Sequence, residues 1–290
     1  MSSSPLTAPP PTTPTLASMR GELDRLDDGI HDLLMQRAGV VTRIGAVGGK
    51  GRVALRPGRE AEIVRRLLRR HTGPLAGRVL VRLWRELFAA TTAMQQNHRV
   101  TVCDTDPGNA YVQCAREHFG ALTPLHVHGS PPQAIAEVSA GNATAAVLPM
   151  PTDGESTAWW TALLHRDEPR IYVVARLPFW APRSEGAPQV QALVVAAVAP
   201  DPSSRDRSLI GVELPPEISR ARLSALIATA GFAPGTIILR RGQDAQTAQA
   251  LVEVEGFVAD DDPRLAALTD LQRPPVVLGA YAVPVDGETA

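Results

Sequence analysis

The chain has 290 residues, 44% hydrophobic and 20% charged, which is enough apolar mass for two domains or one large one and excludes disorder along the whole length. No run of about 18 apolar residues offers a membrane span. The opening MSSSPLTAPPPTTPT lacks the basic start and apolar core of a secretory signal, and Cys103 and Cys114 alone make neither a disulfide framework nor a closed metal site, so a cytoplasmic protein without metal is expected. The net charge of −1 hides an asymmetry. Residues 1–98 hold 15 Lys+Arg against 8 Asp+Glu, and residues 99–290 hold 14 against 22, which predicts an anionic ligand for the first part. All the basic residues are arginine except Lys50.

Residues 1–14 are Ser/Thr/Pro-rich and read as a disordered arm. Leu16, Met19, Leu23, Leu26, Ile30, Leu33, Leu34, Val40, Val41, Ile44 and Val47 then recur in steps of three and four, one face of a helix about 48 Å long. A three-helix monomer cannot cover such a stripe, so a second copy is expected. Gly48, Gly49 and Gly51 end that helix, and Pro57 opens another carrying Ile63, Val64, Leu67 and Leu68. A third runs from Leu75 to Asn97, with Leu80, Leu83, Trp84, Leu87 and Phe88 on its stripe. From Arg99 strands alternate with helices, an α/β pattern. Residues 151–187 read as less regular, and the order βαββαβ from Ser208 predicts a ferredoxin-like plan, its second helix at DPRLAALTDL. The expected domains are 15–98 (helical), 99–187 (α/β lobe) and 188–290 (ferredoxin-like), the helical one self-contained.

Polar groups interrupt the helical stripes: Arg37 on the first helix, Arg59 and Glu60 on the second, Thr91 and Gln95 on the third. Unpaired burial of such groups costs several kcal/mol. They must therefore pair with one another or hold a ligand. Cations outnumber the one acid, Glu60, so a bound dianion is expected. Arg65, Arg66, Arg69 and Arg70 read as a solvated helix face without the aromatic platform of a nucleic-acid binder. Trp159-Trp160 reads as packing, and Asp260-Asp261-Asp262 before Pro263 as a cap and turn.

The stretches LASMRGELDRLDDGIHDLLMQR, RPGREAEIVRRL and LWRELFAATTAMQQ resemble the all-helical class of chorismate mutases over about 80 residues. The resemblance implies an entwined homodimer with shared active sites and a [3,3] rearrangement of chorismate to prephenate that uses no cofactor. Arg20 (from the partner subunit), Arg37 and Arg59 would grip the carboxylates, Glu60 would accept from the ring hydroxyl, Thr91 would help bind a carboxylate, and Gln95 would donate to the ether oxygen. The family's ether-oxygen lysine falls on Gly48. The loop is one residue shorter here, so Lys50 takes that role or is a solvated lysine. The family's loop aspartate falls on Arg56, which stands among the substrate-binding candidates. Residues 99–290 resemble, weakly and in order, the dehydratase and ACT regions of bifunctional chorismate mutase/prephenate dehydratases. ACT domains imply an aromatic amino-acid effector, although ISRARLSAL and LRRG depart from the effector motifs. Between Trp180 and Gln191 there is no room for the second dehydratase lobe, so no dehydratase activity is expected. The alternatives are a bifunctional mutase/dehydratase and a non-catalytic amino-acid-sensing or partner-binding protein with an inactive helical bundle.

Overall fold

The computed structural model describes residues 15–47, 54–154, 158–241 and 246–287. Contacts divide the chain into two units, residues 1–52 and 53–290. The first is helix α1, Leu16–Val47. Thr15 caps it, its hydroxyl accepting from the Ser18 N–H at 3.1 Å. None of its residues is buried, and Leu23, Leu26, Ile30 and Leu33 are all more than half exposed.

The second unit opens with α2 (Pro57–Arg69) and α3 (Gly77–Ala93). Then come β1 (Val100–Cys103), α4 (Ala110–Phe119), β2 (Leu125–His128), α5 (Pro131–Ser139) and β3 (Ala145–Pro149). A 3₁₀ turn, Trp159–His165, precedes β4 (Tyr172–Leu177), β5 (Trp180–Ala181) and β6 (Ala192–Ala196). The last stretch is β7 (Asp206–Leu214), α6 (Arg220–Thr229), β8 (Pro234–Arg241), β9 (Ala248–Glu255), a 3₁₀ turn at Pro263–Ala267, β10 (Val276–Ala282) and β11 (Val285–Asp286). The order β10-β7-β9-β8 is the ferredoxin-like arrangement, built as expected except that its second helix is only the 3₁₀ turn. Pro263 and the Asp262 cap start that turn, and Leu268, at φ −79° and ψ 86°, leaves the helical conformation and ends it.

The α/β lobe and the ferredoxin-like part share one nine-stranded sheet, β2-β1-β3-β6-β4-β10-β7-β9-β8. The seam is the parallel pairing of β10 with β4 at Gly279 and Val173. Gly279 has φ +138°, and an added Cβ would lie 2.1 Å from the Val173 carbonyl oxygen, so only glycine fits there. The expected boundary at 187/188 is therefore not a break in packing. Strand β6 belongs to the lobe, between β3 and β4, and the ferredoxin-like part begins at β7. The region expected to be irregular contains β4, whose YVVARL is buried in the middle of the sheet.

The boundary expected at residue 98 is not a break either. Ala61 and Val64 of α2 and Val81 and Phe88 of α3 form one buried cluster with Phe179, Ala282 and Val285 of the α/β part. Leu55 packs into the cluster around Val100, Val147 and Leu177. Arg65 is not solvated. Its guanidinium donates to the Ser203, Arg205 and Val283 carbonyls at 2.8, 3.1 and 2.6 Å, while Arg66, Arg69 and Arg70 are exposed. The buried face of α3 is also rotated from the expected one. It is Val81, Arg85, Phe88, Thr91 and Thr92, and Leu83 is 53% exposed. Apolar residues circle most of α3, and the α/β layer covers the side bearing Val81 and Phe88.

Candidate active site on the α2–α3 pair

Helix α2 begins without a cap of its own. Its free amide donors are taken by Asp201, from the loop before β7. The Gly58 and Arg59 N–H groups donate to its carboxylate at 3.1 and 3.0 Å, and Arg56 Nε donates at 3.2 Å. Gly58 permits this approach, since a Cβ there would meet the Asp201 carbonyl at 2.1 Å. Arg56, a substrate-binding candidate, is thus committed to an ion pair with Asp201. Arg59 is exposed and donates to Glu62 at 3.1 Å.

Glu60 faces inward and accepts from Arg85 Nη1 at 2.9 Å, the pair being 14% and 3% exposed. Burial pulls the Arg85 guanidinium below its ordinary pKa, and the Glu60 charge opposes that. Arg85 was missed in the sequence. The available signal was its spacing, four after Val81 and three before Phe88, which places it on the buried stripe. The acid expected to be outnumbered by cations has a dedicated one.

The Thr91 hydroxyl is buried and donates into its own helix, to the Leu87 and Phe88 carbonyls at 2.7 and 3.1 Å. Gln95 does not face inward. It is exposed, and its amide donates back to the Thr91 carbonyl at 3.2 Å. Gln96 turns inward instead. Its Oε1 accepts from the Ala54 N–H at 3.0 Å, and its buried Nε2 has no hydrogen-bond partner among the described residues. The N–H of Ala54 fixes the orientation of that amide, because only an oxygen can accept there. The helical phase does not carry to this position: α3 ends at Ala93, and both Gln95 and Gln96 amides bond to the Thr92 carbonyl in a tightened turn.

Of the expected residues, Glu60 and Thr91 are turned inward on the α2–α3 pair and Arg59 is exposed, while Gln96 is turned inward in the turn after α3. Arg20 and Arg37 lie on α1, about 26 Å apart along its axis, too far for both to reach one small molecule from the same helix. Lys50, with Gly48, lies outside the described residues. The arrangement offers a buried carboxylate held by an arginine and a neutral donor ready for a ligand oxygen.

Residues 19–96 match the family model for chorismate mutase type II. A bifunctional chorismate mutase/prephenate dehydratase of Stutzerimonas stutzeri is 27% identical over 146 residues, 48% of this chain and 40% of that protein. The chain therefore spans less than half the length of this relative. Among solved structures, a quorum quenching acylase, GqqA, aligns over 64% of this chain and 95% of its own at 17% identity and a TM-score of 0.47. The prephenate dehydratase of Streptococcus mutans aligns over 64% and 98% at 15% identity and a TM-score of 0.46. These two loose likenesses carry different activities and decide neither. The family resemblance of this chain is therefore to type II chorismate mutases, and it resides in residues 19–96.

Proposed function

We propose that the protein is a homodimeric chorismate mutase that converts chorismate to prephenate without a cofactor. The match of residues 19–96 carries this reading. The geometry adds one revision: Gln96, rather than Gln95, donates to the ether oxygen, because its amide alone of the two is turned inward and unpartnered.

The rearrangement is unimolecular and needs no nucleophile. The protein accelerates it by holding the compact conformer, in which the bond-forming carbons meet, and by placing donors where the breaking C–O bond leaves negative charge on oxygen. Arg59 and Arg37 hold carboxylates, and the partner subunit's Arg20 completes the grip. Arginine suits this role because its fork stays charged and binds carboxylates in two places. Glu60, held in place by Arg85, accepts from the ring hydroxyl. Lys50 supplies the cation at the ether oxygen. The dimer is supported by α1, an exposed 32-residue amphipathic helix whose apolar stripe a second copy would cover.

The reading excludes dehydratase activity. Only residues 182–191 connect β5 to β6, whereas a second lobe needs on the order of 80–100 residues. No helix among the described residues is long and apolar enough to cross a membrane, in keeping with a cytoplasmic setting. The test is prephenate formation by the purified, folded protein. A rate indistinguishable from the uncatalysed one would sink the mutase reading in favour of a binding protein. Phenylpyruvate formed from supplied prephenate above the acid background would restore the bifunctional reading.

A further inference from the structure

A cavity lies in the 53–290 unit, between α3, α4 and the segment after β4, with a volume of about 410 Å³. That size suits one small organic molecule. Its walls are flat or branched and apolar: Val79, Val81, Pro178, Phe179, Trp180 and Pro182. Arg78 and Arg82 are exposed at its edge, while Arg85, Cys114 and His118 line its buried side.

The buried side holds two polar side chains that are not fully used. Arg85 is 3% exposed and its Nε has no hydrogen-bond partner; only its other edge is spent on Glu60. His118 is 8% exposed and its Nδ1 is likewise unpartnered. Burial foremost, with the nearby Arg85 and His98 charges, holds the His118 pKa well below the usual imidazole range, so this ring is neutral. Burial also pushes the Cys114 thiol up to about 12, so no thiolate competes for the cations. Of the four arginines lining the cavity, Arg82, Arg85 and Arg183 have acidic partners in Glu86, Glu60 and Glu117. Arg78 has no ion pair at 4 Å among the described residues, which leaves one positive charge for a ligand.

We propose that this cavity binds a small aromatic monocarboxylate, its ring between the Phe179–Trp180 and proline walls and its carboxylate at the arginine-lined side. Flat apolar walls select a ring, and the unpartnered buried Nε–H of Arg85 favours an acceptor over a hydrocarbon. The proposal does not rest on the mutase reading, although Arg85 also pairs with Glu60, which that reading places on the ring hydroxyl.

Phenylacetate titrated into the full-length protein in a calorimeter tests this. The expected Kd is on the order of 1 mM, the affinity such a small ligand can reach. Arg78→Glu, an exposed change, should weaken binding at least about tenfold, since it replaces an attraction with a repulsion. Val79→Trp, at a position 39% exposed, should fill the cavity and abolish binding while the circular dichroism spectrum stays native. Phenylacetamide should bind at least about fivefold more weakly than phenylacetate, lacking the charge. Absence of binding to the folded wild type at about ten times that Kd would overturn the proposal. So would equal binding of the amide, equal competition by acetate, or indifference to both substitutions.

Discussion

The turn after α3 shows how one residue changes a chemical assignment. Gln95 and Gln96 are adjacent and chemically identical, yet one returns its amide to its own helix and the other presents an unpartnered donor. Removing a donor aimed at developing charge costs about 3 kcal/mol in the transition state, or roughly 10²-fold. Gln96→Ala should therefore lower kcat/KM by about that factor and Gln95→Ala by less than about threefold, in steady-state assays of prephenate formation. The reverse order would return the role to Gln95. A second residue-scale prediction concerns His118 and His98. Burial holds both pKa values below the ordinary 6.5, so the unfolded chain binds more protons than the folded one as pH falls through that value. Stability is therefore highest above about pH 6.5 and falls below it, down to the folded pKa values, by up to about 1.4 kcal/mol per pH unit for each histidine. Urea melts at several pH values should show a shallower acid loss in His118→Gln. An unchanged slope would mean that this histidine is protonated in the folded state.

At the scale of elements, α2 is a helix of the resembled mutase built into the α/β body. Asp201 caps its first turn, Arg65 joins its side to three carbonyls, and Ala61 and Val64 share a core with Val285. Arg65→Ala removes a charged donor from partly buried acceptors. It should destabilise the protein by about 2–3 kcal/mol, seen as a lower urea midpoint with unchanged slope. Arg66→Ala, on the exposed side, should cost less than about 0.5 kcal/mol. Similar losses for the two would show that the clamp is not stabilising. A fragment ending at residue 98, expected to fold by itself, would expose Val64, Val81 and Phe88 and leave α2 uncapped. The seam of the sheet yields a sharper test. Gly279→Ala forces a Cβ onto the Val173 backbone, at a φ that alanine rarely adopts. It should cost several kcal/mol, measurable in the same melts, and a near-native midpoint would show that β4 and β10 can part without harm.

For the whole molecule, the question is what covers α1. An exposed apolar stripe on a helix about 48 Å long is a surface that association would bury. Light scattering should show a dimer, and Leu26→Glu with Ile30→Glu should shift it toward monomer. Because Arg20 and Arg37 lie too far apart along α1 to serve one small ligand from one copy, mixing inactive Arg20→Ala and Arg37→Ala proteins should recover part of the activity. Each hybrid dimer would retain one intact site. No recovery after confirmed subunit exchange would count against shared sites.

Local rules were enough to place most of the elements. Apolar residues at steps of three and four located α1 and its first residue, Pro57 marked the first residue of α2, and alternation with turn residues located β7 to β10. Of the polar residues on those stripes, Glu60 and Thr91 do face inward, whereas Arg59 and Gln95 are exposed. What no local rule contains is which side of a many-faced helix its neighbours claim. Val81, Arg85 and Phe88 of α3 are buried because Phe179, almost a hundred residues later, packs beside Phe88. Glu60 is paired because α3 brings Arg85 to it, and Gln96 faces inward because a turn breaks the phase of the helix. The merging of two expected domains into one sheet runs through the β4–β10 pairing at Gly279 and the core that Val173 and Leu193 share with Leu209 and Leu278, contacts between strands that are distant in the chain. Periodicity is a property of neighbours along the chain and can be read from it. Partnership across the fold depends on long-range packing, and only the tertiary structure decided it.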